Sequence, residues 1–375
     1  MPYFISSKAM NRCARNKQPW PCVRRGVRLV IWLAFLVSLG LTGACKDGSD
    51  SPPVAEVQRG PIPPAATNLL TRAQMALSDG QDAMALRGVE EAIRRAPHFH
   101  RAHLIRGQIL MRMDSLEEAR AAFEMVRKLD VAYPAIHFHL GNNAVQRGQY
   151  DEALDYYEAE DSLTPDTLLE NKRALWMQMG NVYRELGETD EARAAYEKIL
   201  AVDQEFDLAY DAIGQLYQED GDFDSALEAR KEALELNPEN GGYAYHVGAL
   251  LYQLGQPSEA IPYLEQSRQK LPWFYGSYYN LGRSLIDLGQ SAEGERYLIV
   301  ADSLQERQAQ LGMAKASAEA HRTPRAWMAY ADMLYGDERY EEALQAYQAA
   351  RALDPLSEAA RNAIAKTQMR LVAEQ

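Results

Sequence analysis

The chain has 375 residues, of which 47% are hydrophobic and 25% are charged. This length suits roughly two or three compact domains, or one long solenoid, whose size is not limited by a single core. Residues 1–45 carry seven Lys and Arg and no Asp or Glu, so the remainder has a net charge of −20. Because so acidic a surface repels nucleic acid, we expect no nucleic-acid partner.

The N-terminal segment combines basic residues with a short apolar run. Arg24, Arg25 and Arg28 precede "LVIWLAFLVSLGLTGA". The uncharged span 29–45 has 17 residues, whereas a membrane-spanning helix needs about 20. A basic start, a short apolar run and small residues before a break are typical of a secretory signal peptide. This run ends in "LTGAC" instead of an Ala-x-Ala-like cleavage site.

The sequence "LTGAC" resembles a bacterial lipobox. In that family the cysteine thiol receives a diacylglycerol, the chain is cut before the cysteine, and the new amino terminus is usually acylated. The resemblance implies that residues 1–44 are a cleaved lipoprotein signal peptide and that Cys45 carries the lipid. Thr42 stands where the family most often has Leu, and an uncleaved signal anchor is the alternative. Under both interpretations the bulk of the protein lies outside the inner membrane.

Lys46 bears on which membrane holds the anchor. Enterobacterial retention signals have Asp after the cysteine, and this chain has Lys46. By that resemblance we expect the protein in the cell envelope, on the periplasmic side of the outer membrane in preference to the inner membrane. The true start of the chain is either Met1 or Met10.

Residues 46–65 hold five prolines and three acidic residues. Such a composition buries too little apolar surface to fold, so we predict that residues 45–65 form the lipidated N terminus and an extended linker. The three cysteines are Cys13, Cys22 and Cys45. All precede the linker, so the stability of the region beyond it must come from packing.

Beyond the linker, glycines recur with a period of 34 residues. The first set, at spacings of 34, 39, 34, 34 and 34, is Gly107, Gly141, Gly180, Gly214, Gly248 and Gly282. A second glycine follows most of these seven residues later, at Gly148, Gly187, Gly221, Gly255 and Gly289. With Trp176, Tyr183 and Ala192 in the best copy, the pattern resembles the tetratricopeptide repeat, a helix–turn–helix of 34 residues.

This resemblance implies an all-α fold, a right-handed tetratricopeptide-repeat solenoid of about eight helix–turn–helix units with a C-terminal capping helix. The units are 66–99, 100–133, 134–167, 173–206, 207–240, 241–274, 275–308 and 324–357, followed by the capping helix 358–375. The first glycine of a unit lets its two helices approach closely. The second ends the first helix, where a positive φ is needed.

Two insertions interrupt the period. Residues 168–172 precede the fourth unit, where Thr167 and Glu170 resemble a capping box that starts the first helix early. Residues 309–323 are rich in alanine. They are expected to prolong the second helix of the seventh unit, or alternatively to form a contact element for a partner or a second copy of the chain.

The resemblance also implies that the first helices of successive units line a concave groove in which peptides or partner helices bind. The positions that face this groove hold Phe138, Asn142, Met177, Asn181, Asp211, Gln215, Tyr245, Tyr252, Tyr279, Arg283, Met328 and Asp332. Only Arg283 is basic among the central units, so we do not expect the chaperone-tail recognition that a basic clamp performs in one subgroup of the family.

Amides and tyrosines dominate these positions. Asn142 and Asn181 occupy the same position in neighbouring units, and side-chain amides can both donate to and accept from a peptide backbone. Tyr245, Tyr252 and Tyr279 offer broad faces with a polar tip, which are favoured at interfaces. The alternative is that the amides are ordinary surface residues and the tyrosines fill the interior of the superhelix.

Catalytic and metal-binding patterns are not found in the sequence. It contains no HExxH, no GxxxxGK[ST] and no GxSxG motif, and the repeats occupy the folded length. Five of the seven histidines fall within 42 residues, at His98, His100, His103, His137 and His139. Residues two apart on a helix face away from each other, so these histidines are expected to pack and not to bind metal.

The sequence therefore predicts a non-catalytic scaffold with no cofactor, whose partners are proteins or peptides. Self-association through residues 309–323 is possible. The combination resembles lipoproteins of helical repeats that help to assemble outer-membrane proteins, pili or cell-wall synthesis machinery. The alternative is an accessory subunit of an envelope enzyme complex acting on polysaccharide or peptidoglycan, because tyrosines can stack on sugars.

Overall fold

The computed structural model describes residues 60–130, 133, 135–165 and 168–373. Within these ranges the chain forms 17 α-helices and no β-strand. The predicted signal peptide 1–44, Cys45 and residues 46–59 of the predicted linker lie outside the described residues.

Sixteen of the helices form eight consecutive pairs, and the seventeenth packs on the last pair. Their bounds are α1 Pro64–Ser78, α2 Asp82–Arg95, α3 His100–Arg112, α4 Leu116–Leu129, α5 Ile136–Gln146, α6 Tyr150–Leu163, α7 Leu169–Leu186, α8 Thr189–Val202, α9 Asp207–Glu219, α10 Phe223–Leu236, α11 Gly241–Gln253, α12 Pro257–Lys270, α13 Tyr275–Asp287, α14 Ser291–His321, α15 Pro324–Gly336, α16 Tyr340–Leu353 and α17 Glu358–Ala373.

Each helix packs on its pair partner and on the neighbouring pair, so the core extends along the chain as a series of apolar clusters. Alanines at the helix crossings, such as Ala153, Ala192 and Ala226, are completely buried. Stacking of this kind, in which a unit contacts only its neighbours along most of the chain, defines a solenoid. The predicted all-α tetratricopeptide-repeat solenoid is confirmed.

Glycine allows the helices of a pair to approach closely. A Cβ atom added to Gly180 on α7 would lie 2.7 Å from Cδ1 and Cζ of Tyr196 on α8, well inside van der Waals contact. Gly141 meets Tyr157 in the same way one unit earlier. The turn glycine Gly187 has a φ of 79°, which glycine adopts without strain.

Both insertions extend helices. Helix α14 continues without a break for 31 residues, and its extension buries Leu311 and Ala318. Leu311 belongs to the apolar cluster of the eighth unit, so this part of the insertion contributes to the core of the solenoid. Helix α7 does begin early, at Leu169, with Leu168 as its N-cap residue. Thr167 of the predicted capping box lies outside the described residues.

The first and eighth units contact each other. Nη2 of Arg351 on α16 donates a hydrogen bond of 2.6 Å to the backbone carbonyl oxygen of Asp79, which follows α1. A cavity of about 660 Å³ beside this contact is lined from one end of the solenoid by Leu77 and Arg112 and from the other by Trp327. The two ends of the chain of units therefore meet.

Candidate partner-binding groove

The predicted groove residues lie on the first helices of six successive units, and none of them is fully buried. They are Phe138 and Asn142 on α5, Met177 and Asn181 on α7, Asp211 and Gln215 on α9, Tyr245 and Tyr252 on α11, Tyr279 and Arg283 on α13, and Met328 and Asp332 on α15. All twelve side chains are thus at least partly accessible, as a binding surface requires.

The two groove asparagines are each held by a tyrosine from the second helix of the same unit. The hydroxyl of Tyr157 donates to Oδ1 of Asn142 at 2.6 Å, and the hydroxyl of Tyr196 donates to Oδ1 of Asn181 at 2.8 Å. Burial raises the pKa of Tyr196 to about 12, so its hydroxyl remains a donor at neutral pH. Each bond fixes the amide oxygen, and among the residues that the structure describes no acceptor engages the amide N–H groups.

The eighth unit repeats this arrangement with a carboxylate. The hydroxyl of Tyr347 donates to Oδ1 of Asp332 at 2.7 Å, across the same separation of 15 residues. Burial, followed by the hydrogen bond to Asp332, raises the pKa of Tyr347. The bond between the two helices of a unit therefore recurs in three units, and in each one it orients a polar side chain of the first helix.

Aromatic side chains dominate the sixth and seventh units. The ring of Tyr245 packs edge-on against Phe274, with centroids 4.7 Å apart, so this tyrosine partly fills space within the solenoid. The hydroxyl of Tyr252 donates to Asp287 at 3.0 Å and accepts from Nε of Arg283 at 3.3 Å. Tyr279 is 46% exposed. Tyr245 therefore fills space, as the alternative interpretation expects, whereas the face of Tyr279 is accessible.

The fifth unit contains a charged cluster. Oδ1 of Asp211 lies 3.0 Å from Nδ1 of His246 and 3.6 Å from Nη1 of Arg230. Burial acts to raise the pKa of Asp211, but the hydrogen bond from His246 and the charge of Arg230 outweigh it, and the net shift is downward. Asp211 is therefore ionised at neutral pH. Gln215 accepts from Arg184 and donates to Glu219.

Arg230 was not among the predicted groove residues. It lies on α10, the second helix of the unit, whereas the prediction considered first helices alone. A signal for it does exist in the sequence, because other units carry an aromatic residue 16 positions after the first glycine. Those aromatic residues are Phe123, Tyr157 and Tyr196, and Arg230 stands at the equivalent position after Gly214.

The clustered histidines make separate contacts. These are His98 with the carbonyl of Gly60, His103 with the carbonyl of Pro97, His100 with the ring of Tyr133, His137 with Glu160 and His139 with the ring of Phe123. Among the described residues, no group of three or more His, Cys, Asp or Glu side chains is placed to hold a metal ion. In the same residues, no helix is both long and apolar enough to span a bilayer.

The fold and the groove define a class of protein, the α-helical repeat solenoids. Two sequence profiles of the tetratricopeptide repeat match the chain. One matches residues 172–239, and the other matches residues 70–134, 111–166, 212–272 and 279–358. These matches span more than half of the chain, which therefore belongs to the tetratricopeptide repeat family.

The chain is similar to several solved structures. PilW, a widely conserved type IV pilus biogenesis factor, is 16% identical with a TM-score of 0.50, covering 60% of this chain and 99% of PilW. A tetratricopeptide repeat protein from Parabacteroides merdae is 14% identical with a TM-score of 0.48, covering 81% of this chain and 99% of that protein. YrrB, a tetratricopeptide repeat protein with an unusual peptide-binding site, is 18% identical with a TM-score of 0.40, covering 50% of this chain and 95% of YrrB. No curated protein sequence matches the chain.

Proposed function

We propose that this protein is a non-catalytic scaffold, anchored by lipid in the bacterial envelope, that binds an extended segment of a partner protein in its concave groove. The observation that carries the proposal is the pair of Tyr–Asn hydrogen bonds in neighbouring units. Both hold an amide at the same groove position and leave its N–H groups without a partner in the described part of the chain.

Oriented amides suit a peptide backbone as the ligand. A backbone carbonyl oxygen accepts hydrogen bonds, and the Nδ2 groups of Asn142 and Asn181 are donors. Helices α5 and α7 both pack on α6. At about 10 Å for each packed pair they lie at most about 20 Å apart, which an extended chain crosses in about six residues. A single extended segment can therefore reach both amides. Because the amides are already oriented by tyrosines, binding loses less side-chain entropy.

A pull-down of envelope proteins tests the groove. The double variant Asn142→Ala plus Asn181→Ala removes both donors, and we expect partner recovery to fall severalfold because two hydrogen bonds are lost. The matched control is Asn68→Ala plus Asn362→Ala, which makes the same chemical change at exposed positions on α1 and α17. Equal recovery on wild-type and groove-variant beads, with circular dichroism showing both folded, would place binding elsewhere.

The lipid anchor is a separate part of the proposal, supported by the sequence "LTGAC" and the 17-residue uncharged span before Lys46. We propose acylation of Cys45 and residence on the periplasmic side of the outer membrane. Two acyl chains give stable anchoring, so the native protein should partition into detergent and Cys45→Ser should not. Mass spectrometry of the mature N-terminal peptide decides the point, because an unmodified cysteine there excludes the anchor.

Self-association through residues 309–323 also remains a proposal. Met313 on the extended part of α14 is 66% exposed, and a second copy of the chain would cover it. Light scattering after size-exclusion chromatography should then report a dimer for the wild type and a monomer for Met313→Glu. A wild-type monomer at all concentrations would exclude this contact.

A further inference from the structure

The guanidinium of Arg230 is a buried and incompletely hydrogen-bonded cation. Arg230 is only 5% exposed, and its buried Nε–H group has no hydrogen-bond acceptor within the described part of the chain. Its nearest negative charge, Oδ1 of Asp211, lies 3.6 Å from Nη1, which is an ion pair and not a hydrogen bond. Leaving a buried charged donor unsatisfied costs stability, so this arrangement needs an explanation.

Both neighbouring carboxylates are hydrogen-bonded to other donors. Oδ1 of Asp211, the oxygen nearest the guanidinium, is hydrogen-bonded to Nδ1 of His246 at 3.0 Å. Glu219 accepts from the amide of Gln215 at 2.9 Å. Burial lowers the pKa of Arg230, although the charges of Asp211 and Glu219 oppose that effect. The side chain is still a cation at neutral pH, because arginine does not lose its proton in proteins.

The position of Arg230 holds an aromatic residue or leucine in other units of this chain, such as Leu264 and Leu298 in the sixth and seventh units. Tyr157 and Tyr196 occupy it in the third and fourth units and cover the glycine of the first helix. Arg230 covers Gly214 with its aliphatic stem, since a Cβ added to Gly214 would lie 2.7 Å from Cγ of Arg230. A residue that breaks a local packing rule at a cost in stability is a candidate for function.

The guanidinium faces a cavity on the groove side of the unit. This cavity has a volume of about 390 Å³ and is lined by Gln215, Gln218, Glu219, Arg230 and His246. Gln215 is one of the predicted groove residues, so the cavity opens where the partner segment is proposed to lie. The space exceeds the roughly 30 Å³ of liquid volume that one water molecule occupies, and it admits a side chain.

We propose that Arg230 binds a carboxylate of the partner segment, presented by an Asp or Glu side chain. This inference rests on the proposed peptide-binding groove and assigns one position of the bound segment. A planar guanidinium matches a carboxylate with two parallel hydrogen bonds, which are stronger than those to a neutral acceptor. Arg184 donates to Gln215, which lines the cavity, and so adds a second positive charge beside it. This charge offsets the negative charge of Glu219.

Selection from random peptides tests the assignment. One library has amidated C termini, so that every carboxylate in it comes from a side chain, and a second has free C termini. The wild type should select amidated peptides enriched in Asp or Glu at one position. Arg230→Tyr, which installs the residue of the third and fourth units, should lose that enrichment. Arg87→Tyr is the matched control on the exposed face of α2 and should keep it.

A double-mutant cycle then measures the contact. For one selected peptide, Arg230→Tyr and the change of the peptide's Glu to Gln should each weaken binding about tenfold, as expected for one charge-assisted pair. The peptide change should have no further effect on Arg230→Tyr. If Arg230→Tyr misfolds, Arg230→Gln, which also removes the charge, takes its place in the cycle.

The outcomes separate this inference from the proposed function. Binding by the free-acid library but not by the amidated library, without enrichment of Asp or Glu, overturns the side-chain assignment and indicates a peptide C terminus as the source of the carboxylate. Two outcomes overturn the Arg230 assignment and leave the proposed groove supported. In the first, the selected peptides depend on Asn142 and Asn181 but show no acidic preference. In the second, the acidic preference is retained by Arg230→Tyr. Selected peptides that are insensitive to every groove variant overturn both.

Discussion

At the scale of single residues, the contact between Gly180 and Tyr196 shows why the repeat needs glycine inside a helix. Gly180 lies within α7, where alanine would be the better helix former. The ring of Tyr196 is completely buried and occupies the space that a Cβ atom would need. Protein interiors are close-packed, so neither partner has room to move aside. Glycine is required here for packing and not for backbone conformation.

The change Gly180→Ala should therefore destabilise the protein. Overpacking costs about 1–3 kcal/mol, and the gain in helix propensity offsets about 1 kcal/mol, so we expect a net loss of up to about 2 kcal/mol. Gly312→Ala on α14 is the matched control, because nothing lies within 4 Å of the added methyl group there. It should stabilise by about 0.5–1 kcal/mol. Urea unfolding followed by circular dichroism measures the free energy of unfolding of both variants. A change in the same direction for both would contradict the packing argument.

The sequence predicted which residues repeat but not what each of them contacts. A 34-residue period places Asn142 and Asn181 at equivalent positions, so their shared face could be inferred from spacing alone. Their hydrogen bonds to Tyr157 and Tyr196 depend on side-chain rotamers across a helix crossing, which a one-dimensional pattern does not contain. Arg230 was missed because only first helices were considered. Its position can be inferred from the spacing, but its burial follows from the packing of α10 against α9.

At the scale of helices, the end of the first helix in each unit is set by one residue with positive φ. Six of the eight units have glycine there, at Gly80, Gly148, Gly187, Gly221, Gly255 and Gly289. The second and eighth units have Asp114 and Glu338, each with a φ of 60°. A residue with a Cβ atom pays roughly 1–2 kcal/mol in this region, so these two turns are strained.

Replacing Glu338 with Gly should stabilise the eighth unit. Relief of about 1–2 kcal/mol of strain is partly offset by the greater freedom of glycine in the unfolded chain, which leaves a gain of about 0.5–1 kcal/mol. The reverse change, Gly187→Glu, meets no atom within 4 Å of its Cβ and should cost a similar amount. Thermal unfolding should move in opposite directions for the two variants. A lower midpoint for Glu338→Gly would mean that Glu338 makes a stabilising contact that outweighs its backbone strain.

The two insertions show where helix prediction from sequence stops. An alanine-rich stretch predicts that α14 continues through residues 309–321, and the helix does so. The pattern does not predict that Leu311 and Ala318 become buried, because that depends on how far the eighth unit is displaced along the helix. The early start of α7 has a similar explanation. Lys172 is buried and donates to Asp161, which also accepts from Trp176, so tertiary contacts stabilise the start of this helix.

At the scale of the whole molecule, the curvature of the solenoid brings its two ends together. Each unit is rotated slightly relative to the last, and the accumulated rotation over eight units places α16 beside the turn after α1. No local sequence feature encodes this contact, because it depends on the sum of many small rotations. The contact consists chiefly of polar groups, with Arg351 against Asp79 and a wide cavity alongside.

Such a contact should hold the ends together weakly. A hydrogen bond from a charged donor contributes about 1.5–3 kcal/mol when buried, and the ion pair between Arg351 and the exposed carboxylate of Asp79, at 3.8 Å, adds little. We expect Arg351→Ala to release the ends without unfolding the units, because their apolar clusters do not depend on it. Small-angle scattering should then show a larger radius of gyration at an unchanged helix content. Arg361→Ala, which removes only a bond to Leu356 within the same end of the chain, should leave the radius unchanged. An unchanged radius for Arg351→Ala as well would mean that the stacking of the units alone sets the curvature, with the end contact following from it.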